Sequence, residues 1–131
     1  YGSFKEKEIQ LINVIHPSAI ISGTVKVGKG LMIMPGVVVN AFAQIGDGVI
    51  LNSNSTVEHE CSVGSYVHIA PGAVLAGNVT VGDYTFIGAG AVIKQGIKIG
   101  KNVVIGAGCV VLKDVEDNQT VVGNPGRLLK G

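Results

Sequence analysis

Every sixth residue from Ile15 onward is aliphatic: Ile15, Ile21, Val27, Ile33, Val39, Ile45, Leu51, Val57, Val63, Ile69, Leu75, Val81, Ile87, Ile93, Ile99, Ile105 and Val111. Four residues after each comes a second, smaller position, beginning Ala19, Val25, Leu31, Val37, Ala43, Val49, Ser55, Cys61, Val67, Ala73. The residues between are rich in Gly, Asn and Asp, which tolerate left-handed backbone. This pattern predicts an all-β chain of short strands joined by tight corners. Three units would close one coil of a triangular prism of parallel strands, with coils stacked at the ~4.8 Å strand spacing. Residues eighteen apart would then share a face. The seventeen units predict five to six coils. A β-sandwich would vary its turn lengths and lose the register. The repeat is expected to end near Val115, and the tail DVEDNQTVVGNPGRLLKG reads as a polar turn, a short Val-Val strand and a shaped Pro/Gly loop. The segment FKEKEIQLIN at the front reads as a short helix or a strand leading into the first coil.

Composition narrows the picture. The chain has 131 residues, enough for one domain. It is 47% hydrophobic and has 20 glycines but no Trp, so the core must be Val, Ile and Ala. Its 15% of charged residues lies below the usual ~25%, which excludes compositional disorder. A net charge of +1 offers no basic field for nucleic acid. No apolar run approaches the ~20 residues of a membrane span, and the opening YGSFKEKEIQ is no signal peptide. Tyr1 in place of Met points to a processed chain or an excised fragment. Cys61 and Cys109 share one hexad position, 48 residues apart. That is ~13 Å along the axis, beyond the ~7 Å limit for a disulfide, so both are expected reduced and buried. A reducing, cytoplasmic location fits.

Charged corners are the exceptions that carry chemistry. Residues 30 to 93 contain no Lys or Arg, yet Glu58 and Glu60 flank His59, and His68 follows nine residues on. A carboxylate beside a histidine fixes its tautomer and suits it to general-base work, although a hydrogen-bonded corner histidine in a subunit contact would look the same. Gly88-Ala89-Gly90 and Gly106-Ala107-Gly108 are eighteen apart, with Ala70-Pro71-Gly72 one coil earlier. They make a smooth lane where a ligand could lie against backbone groups. From Lys94 to Lys130 six basic residues face three acidic ones, which suits a ligand with a phosphorylated head.

The unbroken hexads, Ile15-His16-Pro17-Ser18-Ala19, the Asn52…Glu58-His59 segment and Gly123-Asn124-Pro125-Gly126 resemble the hexapeptide-repeat acyltransferases. More narrowly they resemble bacterial sugar acetyltransferases, among them the UDP-amino-sugar N-acetyltransferases of bacillosamine synthesis and the sialic acid O-acetyltransferases. The resemblance spans residues 13 to 131. It implies a left-handed parallel β-helix, against the general right-handed preference of crossovers. It also implies a homotrimer with active sites between subunits, acetyl-CoA as donor, a small-molecule sugar acceptor and no required metal. By the same resemblance His59 is the general base and Glu60 its carboxylate partner, with Glu58 able to share that role. Asn52 is an active-site polar residue, and His68 lies near the acetyl end of the cofactor. Gly77 stacks above His59 and offers its N–H to the thioester carbonyl. Ala89 and Ala107 contact the pantetheine arm, and the loop from Asn124 to Arg127 lies near the adenine.

Relatives carry an N-terminal sugar-binding domain, so residues 1–13 read as a lead-in and 14–131 as the β-helix domain with its tail. The implied activity is N-acetylation of a UDP-4-amino sugar, with O-acetylation as the alternative. Two readings of other classes remain at this stage. One is a zinc enzyme like the γ-carbonic anhydrases, which would need His16, His59 and His68 together. The other is a non-catalytic scaffold, which leaves the Glu-His-Glu corner without a role.

Overall fold

Each six-residue unit makes one two-residue strand and one corner, because only two residues of the unit face inward. The large aliphatic ends the strand and the smaller residue closes the corner; Ile33, Val37, Val39, Ala43, Leu51 and Val57 are all at most 2% exposed. The computed structural model describes residues 12–129. The expected lead-in falls outside the described residues up to residue 11.

The strands form three sheets, all parallel in the stack, and the described residues contain no helix. The first face carries Val14–Ile15, Met32–Ile33, Ile50–Leu51, His68–Ile69, Phe86–Ile87 and Val104–Ile105. The second runs from Ile20–Ile21 through Thr56–Val57 to Val110–Val111, and the third from Lys26–Val27 to Lys98–Ile99. The register is eighteen residues per coil, as in Thr56 against Val74 and Val74 against Val92. The chain is a three-sided parallel β-helix around a continuous aliphatic core.

The end of the repeat corrects the sequence reading. After Val111 one corner loses two residues, and the stack then resumes: Ile99 bridges Val115, and Val104 pairs with Thr120. Val115 and Val121 are buried at 6% and 5% exposure, continuing the core. The Val-Val segment of the tail is thus the Thr120–Val122 strand of the first face and begins a seventh coil. Arg127–Leu128 then folds back antiparallel on it. The shortening escaped a search at fixed period six because it moves every later residue by two.

Corners repeat a second feature. The third residue of the corner is left-handed in every coil from Gly30 to Gly108. Glycine or asparagine holds most of these places, but Phe42, Glu60, Tyr66 and Tyr84 hold four, at φ between 58° and 62°. For such side chains this conformation is costly. The tyrosines stack on each other with centroids 5.5 Å apart.

Candidate active site

Two adjacent corners hold the residues singled out by sequence. His59 sits between the second and third faces, with Glu58 and Glu60 on either side. Glu60 Oε1 lies 3.3 Å from His59 Nδ1, and the two side chains are 53% and 62% exposed. Glu60 reaches the ring from a left-handed backbone at φ 61°. Strained geometry of this kind concentrates at functional sites. Glu58 turns elsewhere: Asn40 Nδ2 donates to Glu58 Oε1 at 2.6 Å. Asn40 was not singled out by sequence, although its position one coil below Glu58 was legible from the eighteen-residue register.

Gly77 lies one coil above His59 and is buried. A Cβ there would come within 2.5 Å of His59 Nε2, so the imidazole leans over a backbone that only glycine leaves clear. No described residue accepts the Gly77 N–H. With Nδ1 beside Glu60 and Nε2 over Gly77, the ring has one nitrogen beside a carboxylate and the other over a glycine whose N–H has no acceptor among the described residues. That arrangement suits a general base next to a group that develops negative charge.

The other cluster lies on the next corner, between the first and second faces. Asn52 Nδ2 is 3.3 Å from His68 Nε2, and the His68 ring meets Phe86 edge-on at 5.2 Å. Above Asn52 the small-residue lane climbs the corner, and Gly90 and Gly108 donate to Pro71 and Ala89 carbonyls at 3.0 and 2.8 Å. A Cβ at Gly72, Gly90 or Gly108 would meet nothing within 4 Å, so the lane is open. Ala89 and Ala107 stand exposed along it. Within one chain, therefore, Asn52 and His68 meet at the foot of the corner column that carries Ala89 and Ala107 two and three coils higher, and His59, Glu60 and Gly77 come together. The width of the second face separates the two groups.

Asn124 and Arg127 lie at the C-terminal end. The loop there closes over the last strand of the second face, with Gly126 N–H donating to Val110 O at 2.7 Å. Beside it a cleft of about 500 Å³ is lined by Leu112, Lys113, Glu116, Arg127 and Leu128. Lys113 belongs to the same corner column as His59, through Gly77 and Gln95.

Both cysteines are free and buried, and burial pushes both thiols up from their ordinary range. Cys61 donates to Ala76 O at 3.1 Å, so it is a protonated core residue. His16 is a turn residue: its Nδ1 accepts from Ser18 N–H at 3.0 Å. The three histidines occupy separate places, and among the described residues no three metal-binding side chains gather at one point. No helix of the described residues is long and apolar enough to cross a membrane.

The outward strand residues show a signal that the inward pattern hides. On the third face they are Lys26, Gln44, Ser62, Thr80 and Lys98. On the first they include Val14, Met32, Ile50, Phe86 and Val104, and on the second Ile20, Val38, Val74, Val92 and Val110. Apart from His68 and Thr120 on the first face and Thr56 on the second, two faces are apolar on the outside and one is polar.

The bacterial transferase hexapeptide family (six repeats) matches residues 24–59, 42–77, 60–95 and 78–113 of the chain. Among solved structures, the acetyltransferase domain of PglB from Neisseria gonorrhoeae is 39% identical with a TM-score of 0.93 over 98% of this chain, and has been seen in complex with acetyl coenzyme A. PerB from Caulobacter crescentus, in complex with CoA and GDP-perosamine, is 38% identical with a TM-score of 0.94 over 98% of this chain. WeeI from Acinetobacter baumannii is 36% identical with a TM-score of 0.92 over 98%. This chain spans 62% of the first two relatives and 63% of the third. Among curated proteins none matches significantly.

Proposed function

The chain belongs to the bacterial hexapeptide transferase family, and from that premise we propose that it is an acetyl-CoA-dependent N-acetyltransferase of a nucleotide-linked amino sugar. The observation that carries this reading is the His59 pair: Nδ1 beside Glu60 at 3.3 Å, Nε2 over the bare backbone of Gly77. The bound acetyl coenzyme A of the Neisseria relative and the CoA and GDP-perosamine of the Caulobacter relative support the choice of donor and acceptor class. A UDP-linked 4-amino sugar is the first acceptor to try, and GDP-perosamine the second. A cytoplasmic location goes with the donor.

The donor supplies an activated acetyl group as a thioester. His59 Nε2 would take a proton from the acceptor amine as its nitrogen bonds to the acetyl carbon; the carbon–sulfur bond would break with its electron pair on sulfur, and that sulfur, taking a proton back from the imidazolium, would leave as the free thiol. Glu60 holds the ring and balances the imidazolium charge. The Gly77 N–H would serve to stabilise the charge developing on the acetyl oxygen. Lys113 stands three coils from His59 along the same corner, ~14 Å at the strand spacing. It and Arg127 flank the terminal cleft, where the phosphates and adenine of the donor would be held, with Asn124 on the adjoining loop.

The lane of Ala89 and Ala107, with Asn52 and His68, lies one corner away from His59. A second copy of the chain would bring its lane against the His59 corner, completing the site between subunits. The two apolar outer faces support such an assembly, in the form of a homotrimer.

The reading is tested by thiol release from acetyl-CoA with the amino sugar present. Loss of the base in His59→Ala is expected to slow turnover roughly 100- to 10,000-fold with the fold intact. Full turnover in that variant would remove His59 from the chemistry.

A further inference from the structure

This inference rests on the transferase reading and concerns where its acceptor sits. The donor occupies the C-terminal side of His59, from Gly77 upward. In a direct transfer the acceptor must then approach from the N-terminal side, one coil below. That coil has a distinct surface. Directly beneath His59 is Ala41, with the smallest side chain, and Glu60 N–H donates to the Ala41 carbonyl at 3.0 Å. To one side, Asn40 Nδ2 fixes Glu58 Oε1 at 2.6 Å, which leaves the Asn40 carbonyl oxygen and the second Glu58 oxygen free to accept. To the other side stands Phe42.

Phe42 is the one left-handed aromatic that the chain itself does not explain. Its φ is 62° and it is 65% exposed. Tyr66 and Tyr84 hold the same corner place but stack on each other, and Glu60 holds it beside His59. Elsewhere the place belongs to glycine or to Asn54, Asn78, Asn102 and Asn118. A phenylalanine in this conformation costs stability, and a 65% exposed ring recovers little of it by burial.

We propose that Phe42 is the platform on which the pyranose ring of the amino-sugar acceptor rests, over the Ala41 floor, with Asn40 and Glu58 taking its hydroxyls from the other side. The ring's axial hydrogens lie against the aromatic face, and the amine points up toward His59 Nε2. Phe42 stands one coil below the His59 corner and Nε2 leans up over Gly77, so platform and base are nearly two coil spacings apart, ~10 Å, room for one pyranose ring with its contacts on either side.

The experiment measures initial rates with acetyl-CoA and the amino sugar for wild type, Phe42→Asn and Phe42→Trp, alongside melting temperature and oligomer mass. Phe42→Asn places at this corner the residue that the chain uses at four others, so its melting temperature is expected to stay level or rise. Its KM for the sugar should rise roughly tenfold, with KM for acetyl-CoA and oligomer mass unchanged. Phe42→Trp should keep the wild-type KM for the sugar. An unchanged sugar KM in Phe42→Asn, or a fall in its melting temperature or oligomer mass that accounts for the loss, overturns the platform and leaves the transferase reading standing. A wild-type protein that acetylates no amino sugar overturns both.

Discussion

His59 shows how much one corner depends on its neighbours in the stack. Its two ring nitrogens are set by residues above and beside it, Gly77 and Glu60, and not by the strands that its corner joins. Adding one methyl group at Gly77 pushes a Cβ to 2.5 Å from Nε2. Because that contact is the far end of an exposed side chain, the fold can yield by moving the ring. Gly77→Ala is therefore expected to melt within a degree or two of wild type while losing about tenfold or more in turnover, compared by calorimetry and initial rates. At this scale the sequence was partly legible. His59, Glu60 and Gly77 could be placed from spacing, since eighteen residues make a coil. The partner of Glu58 could not, because both Glu58 and Glu60 flank the ring in sequence and only the side-chain geometry assigns one to His59 and the other to Asn40. The thiols add a separate expectation. Burial raises both pKa values above the ordinary thiol range, so folding favours the protonated form. Stability from this source is present at neutral pH and fades as pH rises through the ordinary thiol range. Neutral iodoacetamide should leave the native protein unlabelled; rapid alkylation would contradict the burial.

The corner is the element that sets the geometry of the stack. Between the third and first faces its first residue is glycine in five successive coils: Gly28, Gly46, Gly64, Gly82 and Gly100. At Gly82 a Cβ would stand 2.6 to 2.7 Å from the backbone of Gly100 and Lys101. Backbone cannot yield as a side chain can, so Gly82→Ala is expected to cost about 1–3 kcal/mol in chemical denaturation, in contrast to the near-neutral Gly77→Ala. The same corner buries Thr85, which donates to Gly100 O at 2.7 Å and accepts from Val103 N–H at 3.1 Å. These contacts explain why a polar residue is tolerated at an inward place. The hexads were legible because each large aliphatic must face one shared core, and a slip of one residue would expose it. The two-residue shortening after Val111 was not, because Val115 and Val121 keep a period of six between themselves but out of phase with the rest. Their burial appears only once the coils are stacked.

The whole molecule presents two apolar outer faces and one polar face, and it splits the proposed site between two corners. Both facts would find one explanation in the proposed assembly, where a second copy would cover the apolar columns and bring its lane to the His59 corner. Val92→Glu places a charge on the second face at a residue 39% exposed in the single chain, so the subunit should still fold. Its mass by light scattering should fall toward that of the monomer, and acetyl transfer should fall with it. A variant that stays assembled and active would show that this face lies outside the interface. The reading of assembly from sequence needed the outward column, which a search for inward aliphatics passes over. The part of His59 in taking the proton from an amino sugar during acetyl transfer can be read by mass spectrometry of the sugar after incubation with acetyl-CoA. Wild type is expected to add one acetyl group to the amine in step with thiol release, and His59→Ala to do neither at a comparable rate. Equal acetylation by the two proteins would contradict it.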